Sequence, residues 1–75
     1  MKRDLNIRIH REDNAFWATV DEFPGVFATG DTLEELHASL SEGIALYLSA
    51  PGEPAPDVTI SPLVEASTRV ELAYA

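Results

Sequence analysis

Apolar and polar residues alternate in three stretches near the start of the chain, which is the pattern of half-buried β-strands. The first stretch is Leu5–Ile9 and the second is Ala15–Val20. The polar residues 11–14 separate them and contain an Asp-Asn pair, which favours a tight turn and antiparallel pairing. A Pro-Gly pair then interrupts the alternation, and a short third strand is predicted from Val26 to Thr29.

The apolar spacing then changes to three and four residues, which predicts an amphipathic helix. The apolar stripe consists of Leu33, Leu36, Leu40, Ile44, Tyr47 and Leu48. Asp31 and Thr32 each precede a glutamate by three residues, which is the capping-box spacing, so either residue can be the N-cap. An Ala-Pro-Gly sequence predicts that the helix ends near Ser49.

The last third of the chain begins with a proline-rich connector over residues 51–57. Val58 and Ile60 are consistent with a short extended piece, and the alternating residues Val70–Tyr74 predict a final strand. The order β-β-β-α-β predicts an α+β fold, with a three-stranded antiparallel meander, a helix and a C-terminal strand. A length of 75 residues suits a single domain over residues 1–75.

The charge is distributed unevenly along the chain. The net charge is −8, yet four of the five basic residues lie within the first eleven positions, and the fifth is Arg69. A nucleic-acid-binding protein needs a basic surface to neutralise phosphates, so we expect no direct nucleic-acid binding by this chain. The acidity either keeps a small protein soluble or forms a face for a basic partner protein.

Residues suited to catalysis or metal binding are sparse. There is no cysteine, which excludes disulfides, thiol nucleophiles and zinc sites built on sulfur. His10 and His37 have no cysteine and no nearby histidine as a partner, and the centre of the first strand lacks the carboxylates that two-metal hydrolysis requires. We therefore predict no catalytic residue, no metal and no cofactor, and a protein that is not an enzyme.

The hydropathy pattern also bears on compartment and assembly. No segment approaches the roughly 20 apolar residues of a membrane span, and no apolar stretch typical of a secretory signal follows the charged N-terminus. We expect a cytoplasmic protein without a membrane partner. Because the core is thin and no disulfide reinforces it, we also expect a homodimer or higher homo-oligomer. Its contact is predicted at Val70–Tyr74 or on the face that carries Trp17.

The segment from residue 16 to residue 36 resembles the signature stretch of the HicB-like antitoxin family. That family pattern combines an aromatic-Trp pair, a Pro-Gly pair, and a Gly-Asp-Thr sequence that enters a helix. The corresponding residues here are Phe16-Trp17, Pro24-Gly25 and Gly30-Asp31-Thr32. The similarity extends over roughly residues 5–50.

The resemblance implies a partial ribonuclease H-like domain without nuclease activity. It also implies a partner, a small basic ribonuclease toxin of the HicA type, which the antitoxin neutralises by binding. Many family members carry a C-terminal DNA-binding motif, whereas this chain offers only an extended strand after Asp57. The alternative is an orphan homo-oligomeric HicB-like domain with a ligand-binding or structural role.

The candidate partner-binding residues surround the third predicted strand and the start of the helix. They are Trp17, Glu22, Phe23, Phe27, Asp31 and Glu34. We expect the acidic residues to form one patch that attracts a basic partner, and the aromatic rings to act as buried anchors. The competing interpretation is that Asp31 and Glu34 serve only the helix start, and that Phe23 or Phe27 belongs to the core.

Overall fold

The computed structural model describes residues 2–65 and 67–74, and in these ranges the chain forms five strands and one helix. The elements are β1 (Lys2–Glu12), β2 (Ala15–Val20), β3 (Phe27–Gly30), α1 (Leu33–Leu48), β4 (Val58–Ile60) and β5 (Arg69–Tyr74). The strands form an antiparallel sheet in the order β3-β2-β1-β5-β4. The predicted α+β class is confirmed, with β4 as an additional strand.

Strand β1 joins the two halves of the sheet. Its C-terminal half, from Ile7 to Glu12, pairs with β2, whereas its N-terminal half, from Lys2 to Asn6, pairs with β5. The edge strands are therefore β3 and β4. Because β5 lies between β1 and β4, the segment Val70–Tyr74 does not form a sheet edge that a second copy could extend.

Two tight turns connect the first three strands. Asp13 has φ of 54° in the turn between β1 and β2, a conformation that Asp and Asn tolerate better than most residues. Between β2 and β3, the Val26 N–H donates to the Phe23 carbonyl at 3.1 Å, and Gly25 has φ of 95°. This second turn includes Val26, so β3 begins one residue later than predicted.

The core lies between α1 and one face of the sheet. Its buried residues are Leu5, Ile7, Ala18, Val20, Phe23, Val26, Ala28, Leu36, Leu40, Ile44, Ile60, Leu63, Val70 and Leu72. The centre of the predicted helical stripe is fully buried, whereas Leu33 and Leu48 are half-buried at its ends. Tyr47 is exposed at the side of the stripe, and its ring stacks on Phe23 at 4.6 Å.

The start of α1 follows the predicted capping chemistry. Thr32 is the N-cap, and its hydroxyl accepts a hydrogen bond from the Glu35 N–H at 3.1 Å. The Glu35 carboxylate in turn accepts from the Asp31 N–H at 2.8 Å, so two backbone donors at the helix start are satisfied. Gly30 lies where α1 packs on β3: a Cβ there would be 2.5 Å from the backbone nitrogen of Leu36.

Candidate partner-binding surface

The face of the sheet opposite α1, which we call the open face, carries side chains that alternate with the core residues. Its members on β1, β2 and β3 include Arg8, His10, Glu12, Trp17, Thr19, Phe27 and Thr29. The helix packs against the other face and leaves these residues without a covering layer of secondary structure within the described chain. Any surface on the sheet that is available to a partner therefore lies here.

Three rings, which we call the aromatic cluster, lie side by side on the open face: His10, Trp17 and Phe27. His10 and Trp17 are direct partners across β1 and β2, and their rings stack at 3.9 Å with an interplanar angle of 13°. Phe27 on β3 lies 5.7 Å from the Trp17 ring and is 59% exposed. Exposed aromatic groups of this kind are typical of protein-binding surfaces.

An open depression of about 460 Å³ adjoins the aromatic cluster at the end of the β1–β2 hairpin. It is lined by Glu12, Asp13, Ala15, Phe16, Trp17, Phe27 and Thr29. The charged residues of this lining are the two acids, and the remainder is mostly aromatic. A protruding side chain of another molecule therefore meets apolar rings and negative charge in the same place.

Two members of the predicted acidic patch, Glu22 and Asp31, lie at different ends of β2. Gly30 pairs with Phe16 at the start of β2, so Asp31 follows that end of the strand. Glu22 follows the other end, after Val20. Because a strand rises roughly 3.3 Å per residue, the part of β2 that separates the two acids is roughly 13 Å long. Proximity in sequence does not bring these carboxylates together.

Glu22 instead joins the end of β2 to β1. Its carboxylate accepts hydrogen bonds from the Asn6 backbone N–H at 2.8 Å and from the Asn6 side-chain amide at 2.9 Å. Desolvation acts to raise the pKa of Glu22, but these bonds, its own backbone N–H and the charge of Arg3 outweigh it and lower the pKa. The charged form of Glu22 is therefore a structural acceptor.

None of the other three predicted residues, Phe23, Asp31 and Glu34, lines the depression beside the aromatic cluster. Asp31 immediately precedes the N-cap of α1. Glu34 lines a different groove, of about 310 Å³, with His37 and Leu63. Phe23 is 3% exposed and belongs to the core, so its ring does not form part of the surface. Of the six residues, Trp17 and Phe27 are brought into contact on an accessible face.

Three residues of this surface were not among those predicted from the sequence: His10, Glu12 and Asp13. The register of the β1–β2 hairpin, which the sequence of its turn predicts, would have identified them. A two-residue turn at residues 13 and 14 pairs Glu12 with Ala15, and the same register places His10 opposite Trp17. Counting outward from the turn would have predicted the contact between the imidazole and the indole.

The model of the family described as "HicB_like antitoxin of bacterial toxin-antitoxin system" matches residues 5–73. The chain belongs to the HicB-like antitoxin family. The match confirms the resemblance and extends it beyond residue 50, so β4 and most of β5 lie within the family's domain. No curated protein and no solved structure matches the chain significantly.

Membership of this family implies a toxin partner and a regulatory role for the HicB-like antitoxin. Within residues 2–65 and 67–74, no three His, Cys, Asp or Glu residues are grouped so that they could hold a metal ion. His37 is engaged elsewhere, since its Nε2 lies 2.9 Å from the Ile60 carbonyl oxygen. The one helix among the described residues is too short and too polar to cross a membrane.

Proposed function

We propose that this HicB-like antitoxin binds and neutralises a small basic ribonuclease toxin of the HicA type. The observation that supports this most is the aromatic cluster on the open face. Trp17 and Phe27 present apolar rings on a surface that α1 does not cover, and such residues are common among the dominant contacts of protein interfaces. RNA is the target of such a toxin, so we place the complex in the cytoplasm.

The charge of the antitoxin supports the same partner. A ribonuclease that holds RNA phosphates presents a basic surface, and this chain has a net charge of −8. Opposite net charges accelerate encounter and make the association rate fall as salt rises. The rings of the aromatic cluster then contribute the short-range contacts, and the bound antitoxin excludes RNA from the toxin.

The test is an RNA-cleavage assay with the purified toxin encoded beside the antitoxin gene. Wild-type antitoxin is expected to inhibit cleavage to completion at a fixed molar ratio. Trp17→Ala and Phe27→Ala should each weaken inhibition, by roughly 30-fold for an interface residue that dominates binding. Leu46→Ala is the matched control, because Leu46 is 63% exposed on α1 and away from the open face.

Two outcomes contradict the proposal in different ways. If wild-type antitoxin neither binds the toxin nor inhibits cleavage, neutralisation of this toxin is wrong. If inhibition is present but Leu46→Ala weakens it as much as Trp17→Ala does, the open face is not the binding surface.

We also propose that the antitoxin is not itself a nuclease and does not bind DNA unaided, although its fold is related to that of ribonuclease H. The consecutive antiparallel strands β1, β2 and β3 followed by α1 support the relation. The lack of carboxylates in the central residues Leu5–Ile9 of β1 supports the absence of two-metal catalysis. RNA cleavage by the isolated chain with Mg²⁺ or Mn²⁺, or a sequence-specific DNA gel shift, would contradict this proposal.

Self-association is a further part of the proposed function. The edge strands β3 and β4 have only four and three residues, so extension of the sheet offers little pairing to a second copy. We therefore propose a homodimer that forms through side-chain packing on an exposed face. Light scattering at high micromolar concentration should give twice the chain mass of 8.2 kDa, and a monomer mass would exclude it.

A further inference from the structure

The depression beside the aromatic cluster has the composition of a site for an organic cation. Among the residues that line it, Trp17 and Phe27 on the open face have aromatic rings, and Glu12 and Asp13 have carboxylates. The face of an aromatic ring attracts a cation, and a carboxylate forms strong charge-assisted hydrogen bonds with one. The two interactions favour the same kind of group.

The acids of the depression are available, because the neighbouring arginines are paired elsewhere. The guanidinium of Arg8 lies 3.0 Å from Asp21, and that of Arg11 lies 3.7 Å from Glu65. Glu12 and Asp13 take part in no ion pair within the described part of the chain. A cation from another molecule therefore need not displace an internal partner.

The chain already contains the proposed type of contact within its own fold. The Arg11 guanidinium carbon lies 5.6 Å from the centre of the Phe16 ring, and that of Arg3 lies 5.3 Å from the centre of Phe23. Both arginines belong to β1. The Trp17 and Phe27 rings lie beside carboxylates in a similar combination, and neither ring has such an arginine contact within the described residues.

We propose that the depression receives an arginine side chain of the basic toxin, with its guanidinium against Trp17 and Phe27 and its N–H groups donating to Glu12 and Asp13. Arginine fits better than lysine, because the planar guanidinium stacks on rings and binds carboxylates through two N–H groups at once. This inference rests on the proposed function and specifies the partner chemistry at the same surface.

The first experiment uses Trp17 as the reporter, since it is the only tryptophan of the chain. The probe is the peptide acetyl-Gly-Arg-Gly-amide, titrated at constant ionic strength, and its comparison peptide contains neutral citrulline in place of arginine. The arginine peptide is expected to change Trp17 fluorescence saturably in the roughly millimolar range. The citrulline peptide should bind at least about tenfold more weakly than the arginine peptide, since it lacks the positive charge.

The variants separate a local site from general attraction to an acidic protein. Glu12→Gln/Asp13→Asn should weaken binding of the arginine peptide about tenfold, and Asn tolerates the φ of 54° at position 13. Glu42→Gln/Glu53→Gln removes the same charge from exposed positions outside the depression and should leave the affinity within about twofold. Equal binding of the two peptides, equal effects of the two double variants, or no saturable change overturns the proposal.

A second experiment distinguishes this site from the proposed function as a whole. Glu12→Gln/Asp13→Asn and its control are titrated into the toxin cleavage assay beside wild type. If wild type inhibits and the depression variant inhibits equally well, the arginine site is wrong although neutralisation stands. If wild type fails to inhibit while the arginine peptide still binds, neutralisation of that toxin is wrong although the depression recognises a cation.

Discussion

The two faces of the sheet differ in what holds their side chains in place. On the face under α1, aliphatic residues such as Leu5, Ile7 and Leu72 are almost completely removed from water. On the open face, contacts are made between exposed or half-buried groups: Lys2 with Glu71 at 4.0 Å, and His10 with Trp17 at 3.9 Å. One face therefore contributes most of the folding free energy, whereas the other can exchange its contacts for those of a partner.

The open face itself divides into a polar and an aromatic part. Where β1 pairs with β5, the open face carries charged residues: Asp4 lies directly opposite Glu71, and Lys2 approaches Glu71 diagonally at 4.0 Å. Where β1, β2 and β3 lie together, the exposed rings of the aromatic cluster replace those charges. Surface ion pairs contribute little to stability, while exposed rings are unfavourable in water unless something covers them. Substitutions on the covered face should therefore mainly change the free energy of unfolding, whereas substitutions in the aromatic cluster should mainly change the affinity for a partner.

The largest effect is expected at the centre of the covered face. Leu40 is fully buried on the side of α1 that packs against the sheet, and Leu40→Ala should lower the free energy of unfolding by about 2–5 kcal/mol, because it removes apolar contacts and leaves a cavity. Urea denaturation followed by circular dichroism measures the change. Leu46→Ala, on the exposed side of the same helix, is expected to change it by less than about 1 kcal/mol.

A smaller effect is expected where α1 approaches β3. Gly30→Ala places a Cβ 2.5 Å from the Leu36 backbone nitrogen, so the helix start must shift. The expected loss is about 1–3 kcal/mol of unfolding free energy, as for other overpacked sites. Thr29→Ala is a neighbouring control on the open face. Equal midpoints of thermal unfolding for the two variants would contradict the close approach.

The stacked pair on the open face should show a measurable but modest coupling. A double-mutant cycle with His10→Ala and Trp17→Ala is expected to give an interaction free energy of about 0.5–1.5 kcal/mol in urea denaturation. Arg8→Ala with Trp17→Ala provides the control pair, since Arg8 pairs with Thr19 instead. A coupling no larger than that of the control would show that the two rings do not stack in solution.

The smallest effect is expected at Glu22 and depends on pH. Because its pKa is lowered in the folded chain, the ionised carboxylate stabilises the fold above its unfolded pKa, near 4.5, and this contribution disappears as pH falls through the folded pKa. Glu22→Gln should therefore lower the midpoint of urea denaturation at pH 7 more than at pH 3. Glu42→Gln, an exposed helix substitution, is the control, and a loss at Glu22 independent of pH would contradict the assignment.

Local signals in the sequence predicted the helix and the hairpin well. The capping residues, the apolar stripe and the Asp-Asn turn each act over a few residues, so their structural consequences are readable in sequence. The order of the strands in the sheet was harder to predict from the sequence. Pairing of β1 with β5 joins residues such as Leu5 and Val70, and no local pattern specifies which strand a distant segment joins. Likewise, β4 has three residues, too few to show a period.

Only part of the candidate site could be predicted from the sequence, because its arrangement also depends on contacts between distant segments. Trp17 was identified as a surface residue because it alternates with apolar neighbours that face the core. Glu22 and Asp31 were grouped because they are close in sequence, yet they lie near opposite ends of β2. Phe23 is buried because the turn after β2 directs its ring towards α1, where it contacts Tyr47. Such a turn is not described by period-two alternation.

The divided pairing of β1 has a consequence for the order of folding. Its C-terminal half can form a hairpin with β2 as soon as residues up to Val20 exist, because that contact is local. Its N-terminal half must wait for β5, which follows it by more than sixty residues, and closing such a long loop is slow. During synthesis, the first residues of the chain therefore remain an unpaired strand until the last strand emerges from the ribosome. An early-folding unit of β1–β3 with α1 would then carry the aromatic cluster before the sheet is complete.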